Sequence, residues 1–390
     1  MKQIGTCKIH FLSEAVSPIT HMMGVSGNES ILNREKVLHE GNVVDIPVLS
    51  GNALRHKIIR EPGALHLVDV CELRGKLSID QANYMFTGGS LSESSTTDNI
   101  PLIAELQEVS PLFRLLGGSL KNQVVGGSLF VSRGILICLE NQKLLPKLIP
   151  EDYEIPVQSL LPAQHFISKY QYTRGDAGRM KDSVSMIKDL QKKEESNLMI
   201  YAGESIVPGT LFYHDLILYN VSPLEIGATL FCIQRWQKSD GIIGGSARIG
   251  HGKMKSNIWI SGLVDWFGHE KDPDELIQEY IQHVEKNKDR FVSWLEKAFP
   301  TKMSFPIIKK VKDSLIYIFE EKQPDGSLID VQRYIGIAVD NSKDGKSIAK
   351  AIGNKIKAAK SPEDIFKDFE GMSIIRNDYD SVLSFFEEQL

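Results

Sequence analysis

The chain has 390 residues, 42% of them hydrophobic, and a formal net charge of −5. That is ample for a real core and too acidic for indiscriminate nucleic-acid binding. Apolar runs such as Ile135-Leu-Ile-Cys-Leu139 are too short to cross a bilayer, and the first residues hold no apolar segment of signal-peptide length. Cys7, Cys71, Cys138 and Cys232 lie far apart with no CxxC pair, which fits reduced thiols in a cytoplasmic protein better than a zinc knuckle. Up to Asp265 there are 26 basic and 27 acidic residues; beyond it there are 19 and 23. Any nucleic-acid surface is therefore a local groove built from selected loops, and the acidic C-terminal part is the poorer place for it.

Lys8-Ile-His-Phe-Leu12 predicts a first strand, followed by a long loop, Ser17 to Ser30, with glycines and hydrogen-bonding side chains. Val43 to Leu49 predicts a second strand, with Pro47 marking an edge or bulge. Ser50 caps a helix opening at Gly51-Asn-Ala-Leu54. Leu54, Ile58 and Ile59 form its apolar face, Arg55, Lys57 and Arg60 project elsewhere, and Glu61-Pro-Gly63 breaks it. From Asn83 to Glu204 the pattern turns irregular, and three of the four Gly-Gly-Ser tripeptides fall there, marking turns in an insertion. Tyr172 to Lys181 reads as a basic loop and Asp182 to Ser196 as a short charged helix.

Thr210 to Tyr219 predicts a strand rich in β-formers. Ser222-Pro-Leu-Glu225 is a capping box with proline at the first helical position, and its helix runs to about Trp236. Gly241 to Ser256 follows, with five glycines, Arg248, His251, Lys253 and Lys255, and no acidic residue between Asp240 and Asp265. Asn257-Ile-Trp-Ile260 returns as a strand. Past Trp266 the composition shifts. Asp274 to Phe299 reads as an amphipathic helix, Ser314–Phe319 and Val331–Ala338 as strands, and 344–369 as helical.

Glycines allow close backbone approach to a ligand, and exposed N–H groups flanked by Lys and Arg make a seat for phosphates. A solvated basic hairpin is the plain alternative. The loop is neither a Walker A sequence nor a dinucleotide fingerprint, because it follows its helix instead of opening it. The capped opening at Ser50 offers a second anion seat, with Asn52 and Arg55 near its end; an ordinary surface helix is the alternative. No HExxH, GxSxG or clustered metal-ligand set is present, so no cofactor or metal is expected. The histidines are isolated in sequence, and Asp215, mid-strand, is expected to pair locally.

Ile46-Pro-Val-Leu-Ser-Gly-Asn-Ala-Leu-Arg-His-Lys57 resembles the P-x-x-S-G-N/S-x-x-R/K helix opening of the RAMP superfamily. Gly244-Gly-Ser-Ala-Arg-Ile-Gly-His-Gly-Lys253 resembles that superfamily's glycine-rich loop. Over about residues 5–265 the order of parts resembles that of the crRNA-backbone subunit of class 1 CRISPR effector complexes. The resemblance implies an α+β fold: an RRM-like, ferredoxin-like palm in two parts (1–82 and 205–265), an inserted thumb (83–204) that wedges between guide bases, and a C-terminal α+β extension (266–390). It also implies that Ser50, Asn52, Arg55 and Lys57, with Gly244, Gly245, Arg248, His251, Gly252 and Lys253, hold guide phosphate. Lys255, in the same basic loop, is expected to join them. The implied partners are a crRNA guide, target RNA or DNA, further copies of the chain and other CRISPR effector subunits, in antiviral defence.

RNA-cleaving relatives carry an aspartate in the early loop. Here Glu29 is the nearest acid, with no aspartate before Asp45. The leading expectation is a non-catalytic guide-coating subunit. The alternatives are an endoribonuclease using Glu29 or His21, and an unrelated α/β enzyme binding a small phosphorylated ligand.

Overall fold

The computed structural model describes residues 5–26, 29–91, 99–120, 123–149, 160–173, 200–262, 272–299, 307–311, 314–320, 334–340, 347, 350–351, 374–377 and 379–389. The expected basic loop from 174, the charged helix to 196 and most of 344–369 lie outside them. The chain divides into two compact units, Met1–Phe299 and Pro300–Leu390.

The first unit is α+β. Its main sheet has seven strands: β1 (Gly5–Ala15), β4 (Arg34–His39), β5 (Asn42–Leu49), β8 (Leu129–Val131), β9 (Gly134–Leu136), β12 (Leu211–Val221) and β13 (Met254–Ser261). They run in the order β13-β1-β12-β9-β5-β4, with β8 also paired to β12, antiparallel throughout. In β1 the alternation is clear. Cys7, Ile9, Phe11 and Ala15 enter the large core, while Lys8, His10, Leu12 and Glu14 take the other face. On β12, Phe212, Leu216 and Leu218 share the core face and Tyr213 the opposite one, beneath a smaller cluster of Ile135, Ile137, Leu145 and Ile149.

Helices cover the core face. After β5 the chain enters α1 (Gly51–Leu54), a wider π-helical stretch (Arg55–Arg60) and then α2 (Glu61–Val70). The expected break at Glu61-Pro-Gly63 does not occur. Pro62 has no N–H to donate to the regular ladder, and the helix passes through it after a wide turn in which the Glu61 N–H donates to the His56 carbonyl. Gly63 lets α2 approach its neighbours, since a Cβ there would run into Leu112 and lie 3.0 Å from the Cys232 sulfur. After β12 comes α6 (Pro223–Lys238), opened by its capping box: the Glu225 carboxylate accepts from the Ser222 N–H (2.7 Å) and hydroxyl (2.9 Å).

Two expectations about layout meet differences. Much of the span 83–204 serves the main body. β8 and β9 lie in the main sheet, and α4 (Ile100–Val109) and α5 (Pro111–Leu116), which follow α3 (Ile79–Thr87), supply Leu106, Val109, Leu112 and Phe113 to the main core. A second sheet, in the order β10-β11-β3-β2, joins β10 (Ile167–Thr173) and β11 (Ile200–Ile206) to the early hairpin β2 (Met22–Ser26) and β3 (Glu29–Leu32). The helix Pro273–Ala298 belongs to the first unit, because Leu276, Tyr280, Val284, Phe291 and Trp294 are buried in that core. The contact division thus falls after Phe299 and not after residue 265. The second unit holds an antiparallel sheet in the order β14-β15-β16-β17 (Ile307–Val311, Ser314–Glu320, Tyr334–Asp340, Ile374–Asn377) and the helix Tyr379–Gln389. No helix among the described residues is long and apolar enough to cross a membrane.

Candidate nucleic-acid interface

Three segments distant in sequence are linked through the loop that follows β1: that loop itself, the glycine-rich loop before β13, whose first residue Met254 pairs with Ala15, and the helix opening after β5. The loop after β1 is sewn to the glycine-rich loop by backbone bonds. Gly245 N–H donates to the Thr20 carbonyl (2.7 Å), Gly252 N–H to Pro18 (2.7 Å) and Val16 N–H to Lys253 (2.8 Å). Side chains add to the seam: Thr20 Oγ1 donates to the Gly245 carbonyl (2.8 Å), and Ser17 Oγ accepts from the Lys253 N–H (2.9 Å). On the other side, Ser50 N–H donates to His21 Nε2 at 3.0 Å. His21 therefore ties the early loop to the helix opening, one residue from the Thr20–Gly245 bridge.

Sequence chemistry explains why the glycine loop fits. Gly244 and Gly252 have φ of 76° and 94°, and a Cβ on either would collide with a backbone carbonyl, Thr20 at the first and Ile243 at the second. Ser246 also takes the left-handed conformation, at φ 59°. At the helix opening, Ser50 Oγ accepts from Ala53 N–H (3.2 Å), which leaves the N–H groups of Gly51 and Asn52 as donors at that end. Gly51 is forced by close approach: a Cβ would sit 2.6 Å from the Val131 carbonyl oxygen of β8.

The expected phosphate ligands divide into two sets. Arg248 and Lys255 are exposed, with no ion-pair partner among the described residues, and Asn52 is exposed in the helix opening. Lys255 faces Glu14 across the strand pair. Lys253 is held by Asp240 at 2.8 Å, an exposed pair worth little. Ser50 is spent on capping. Arg55 and Lys57 turn away: Arg55 donates to the Leu116 carbonyl at the end of α5, and burial lowers its pKa; Lys57 pairs with Glu61 at 2.6 Å. Arg60, expected to project outward, is buried. It donates to the carbonyls of Tyr84 (3.3 Å) and Gly117 (3.2 Å), with its pKa pushed down to about 10 by burial and then by Arg55. These two arginines satisfy carbonyls at the C-terminal ends of α3 and α5, where cations are favoured.

The two catalytic candidates are separated. Glu29 sits opposite Ser26 at the tip of the β2–β3 hairpin and pairs with Lys169 at 3.3 Å. His21 lies at the hairpin's base, roughly 15 Å away at strand rise. Its Nε2 lone pair accepts the Ser50 N–H, and burial lowers its pKa, so the ring is neutral and engaged. Asp215 pairs with Lys8 at 2.8 Å, on the other face of the sheet.

Sequence reading missed Thr20 and Ser17 as seam residues, and Tyr170, whose ring meets His251 edge-on at 5.2 Å and 81°. Only the polar, glycine-bearing composition of the early loop signalled the first two; nothing near Tyr170 in sequence points to residue 251.

No protein-family model matches the sequence, and no curated protein matches it significantly. Among solved structures, a chain of a Type IV-B CRISPR complex is similar over 68% of this chain and 99% of its own, at 17% identity and a TM-score of 0.45. Csc2 of Thermofilum pendens is similar over 74% and 80%, at 13% identity and a TM-score of 0.30.

Proposed function

We propose that this chain is a non-catalytic RNA-binding subunit of a CRISPR effector complex, one that coats a guide RNA in several copies and presents it for pairing with a target. The observation that carries this reading is the seam itself: two motifs resembling RAMP superfamily elements, nearly 200 residues apart, are joined through Thr20 and His21 into one patch. The patch offers the backbone N–H groups of Gly51 and Asn52 and two cations, Arg248 and Lys255, with no ion-pair partner among the described residues, which suits a phosphate chain read by shape and not by sequence. The antiparallel order β13-β1-β12-β9, with helices after β5 and β12, supports a ferredoxin-like palm.

Cleavage by 2′-hydroxyl attack needs a base and an acid or metal in line with one phosphate. Glu29 and His21 are too far apart for that, and each has a partner. The purified protein is therefore expected to bind guide RNA and hold complementary target RNA intact, with or without divalent metal. Target cleavage that disappears in Glu29→Ala would replace the scaffold reading with the endoribonuclease. Failure to bind any RNA would remove both.

A further inference from the structure

The geometry points to Tyr170 and Gly203 as positioning residues for the glycine-rich loop, acting through His251. Tyr170 on β10 stands directly opposite Gly203 on β11, and Gly203 in turn pairs with Ser30 on β3. Position 203 is bare for a reason: a Cβ there would lie 2.7 Å from both Cζ and the hydroxyl oxygen of Tyr170. The ring lies across the β11 backbone in the slot that glycine leaves, and it meets the imidazole of His251 edge-on, the ring centres 5.2 Å apart. His251 is the loop residue between Gly250 (φ 88°) and Gly252 (φ 94°), two positions where the backbone alone has little preference. Its Nδ1 is buried with no hydrogen-bond partner among the described residues, so the ring is held by packing and not by a hydrogen bond at that nitrogen.

The loop therefore has two anchors of different kind. Backbone bonds to Thr20 and Pro18 fix its base, at Gly245 and Gly252. The Tyr170–His251 contact fixes the short arch from Ala247 to Gly250 that carries Arg248. An arch held in one conformation, with the Ile249 and Gly250 N–H groups already bonded to the Ser246 and Ala247 carbonyls, presents the Arg248 side chain to a phosphate without first being ordered, and ordering costs affinity. His251 thus acts as the loop's contact with the second sheet, and the second sheet sets how rigid the phosphate seat is.

This inference rests on the guide-binding reading, yet its first readout needs no RNA. Amide hydrogen exchange over residues 246–252 is measured in the full-length chain for wild type, Tyr170→Ala, Tyr170→Phe and Gly203→Ala. Faster exchange in Tyr170→Ala and Gly203→Ala, with Tyr170→Phe unchanged because it keeps the ring, is the expected result. Binding of a fluorescein-labelled single-stranded oligoribonucleotide should weaken in the same two variants by roughly two- to tenfold, the size of one aromatic contact. Unchanged exchange in Tyr170→Ala would overturn the inference. Should Gly203→Ala not fold, Tyr170→Ala alone decides. If exchange responds but wild type binds no RNA, the anchoring stands and the guide-binding reading fails.

Discussion

Arg55 and Arg248 look alike in sequence and differ in what they touch. Arg55 donates to a backbone carbonyl and is half-buried; removing it leaves the Leu116 oxygen unsatisfied, at about 1–3 kcal/mol. Arg55→Ala is therefore expected to lower the urea midpoint with m unchanged, while Arg248→Ala, at an exposed arch, stays within about ±0.5 kcal/mol. Equal stability of the two variants would return Arg55 to the groove. His214 makes a second residue-scale case. It is fully buried, stacked on Phe11 at 4.5 Å, with neither ring nitrogen bonded among the described residues, and burial pushes its pKa down to about 3. Between about 3 and the ordinary 6.5 the unfolded chain binds a proton that the folded chain refuses. Stability is thus fully present above 6.5 and is lost as pH falls through that window. His214→Phe should flatten the fall in urea midpoint between pH 6.5 and 4; an unaltered slope would mean that His21, His66 or another buried ring dominates.

At the scale of elements, α6 depends on two close fits. Its first turn holds Glu225, 3% exposed, in an ion pair with Arg114 that also closes the capping box. Gly227 lets the helix Pro273–Ala298 approach, because a Cβ there would collide with the Leu276 carbonyl. Gly227→Ala should cost about 1–3 kcal/mol, the usual range for overpacking, read as a fall in the urea midpoint. A neutral effect would show that the two helices separate freely. The capping box and the strands around it were legible in sequence because each is a local signal: Ser222-Pro-Leu-Glu225 names its own hydrogen bonds, and β1, β5, β12 and β13 announce themselves by alternation and β-formers. What was not legible is non-local. The passage of the helix through Pro62 depends on a wide turn that no residue type encodes, and the burial of Arg60 depends on carbonyls of Tyr84 and Gly117 supplied by other helices. The glycine loop was visible as a loop, but its attachment to Thr20 and Tyr170 was not, since backbone pairing between distant segments leaves no mark on composition.

At the scale of the whole molecule, the first unit ends after the helix Pro273–Ala298, whose buried face of Leu276, Tyr280, Val284, Phe291 and Trp294 completes the core. A fragment ending at 299 should unfold cooperatively, whereas one ending at 265, which bares that core, should aggregate or melt without a sharp transition. Matching transitions would move the boundary back to 265. The central claim concerns the patch linked through the loop that follows β1, and its most direct test is the salt dependence of RNA binding. Each cation neutralising a phosphate on a single strand contributes about 0.7 to the slope of log K against log salt. Replacing Arg248, Lys253 and Lys255 together with alanine should therefore flatten that slope by about 1.5–2, with Lys253 contributing least because Asp240 already holds it. The weakening should be the same for unrelated RNA sequences. An unchanged slope in a variant with wild-type stability would contradict the account, because the glycine-rich loop would then lie outside the RNA path.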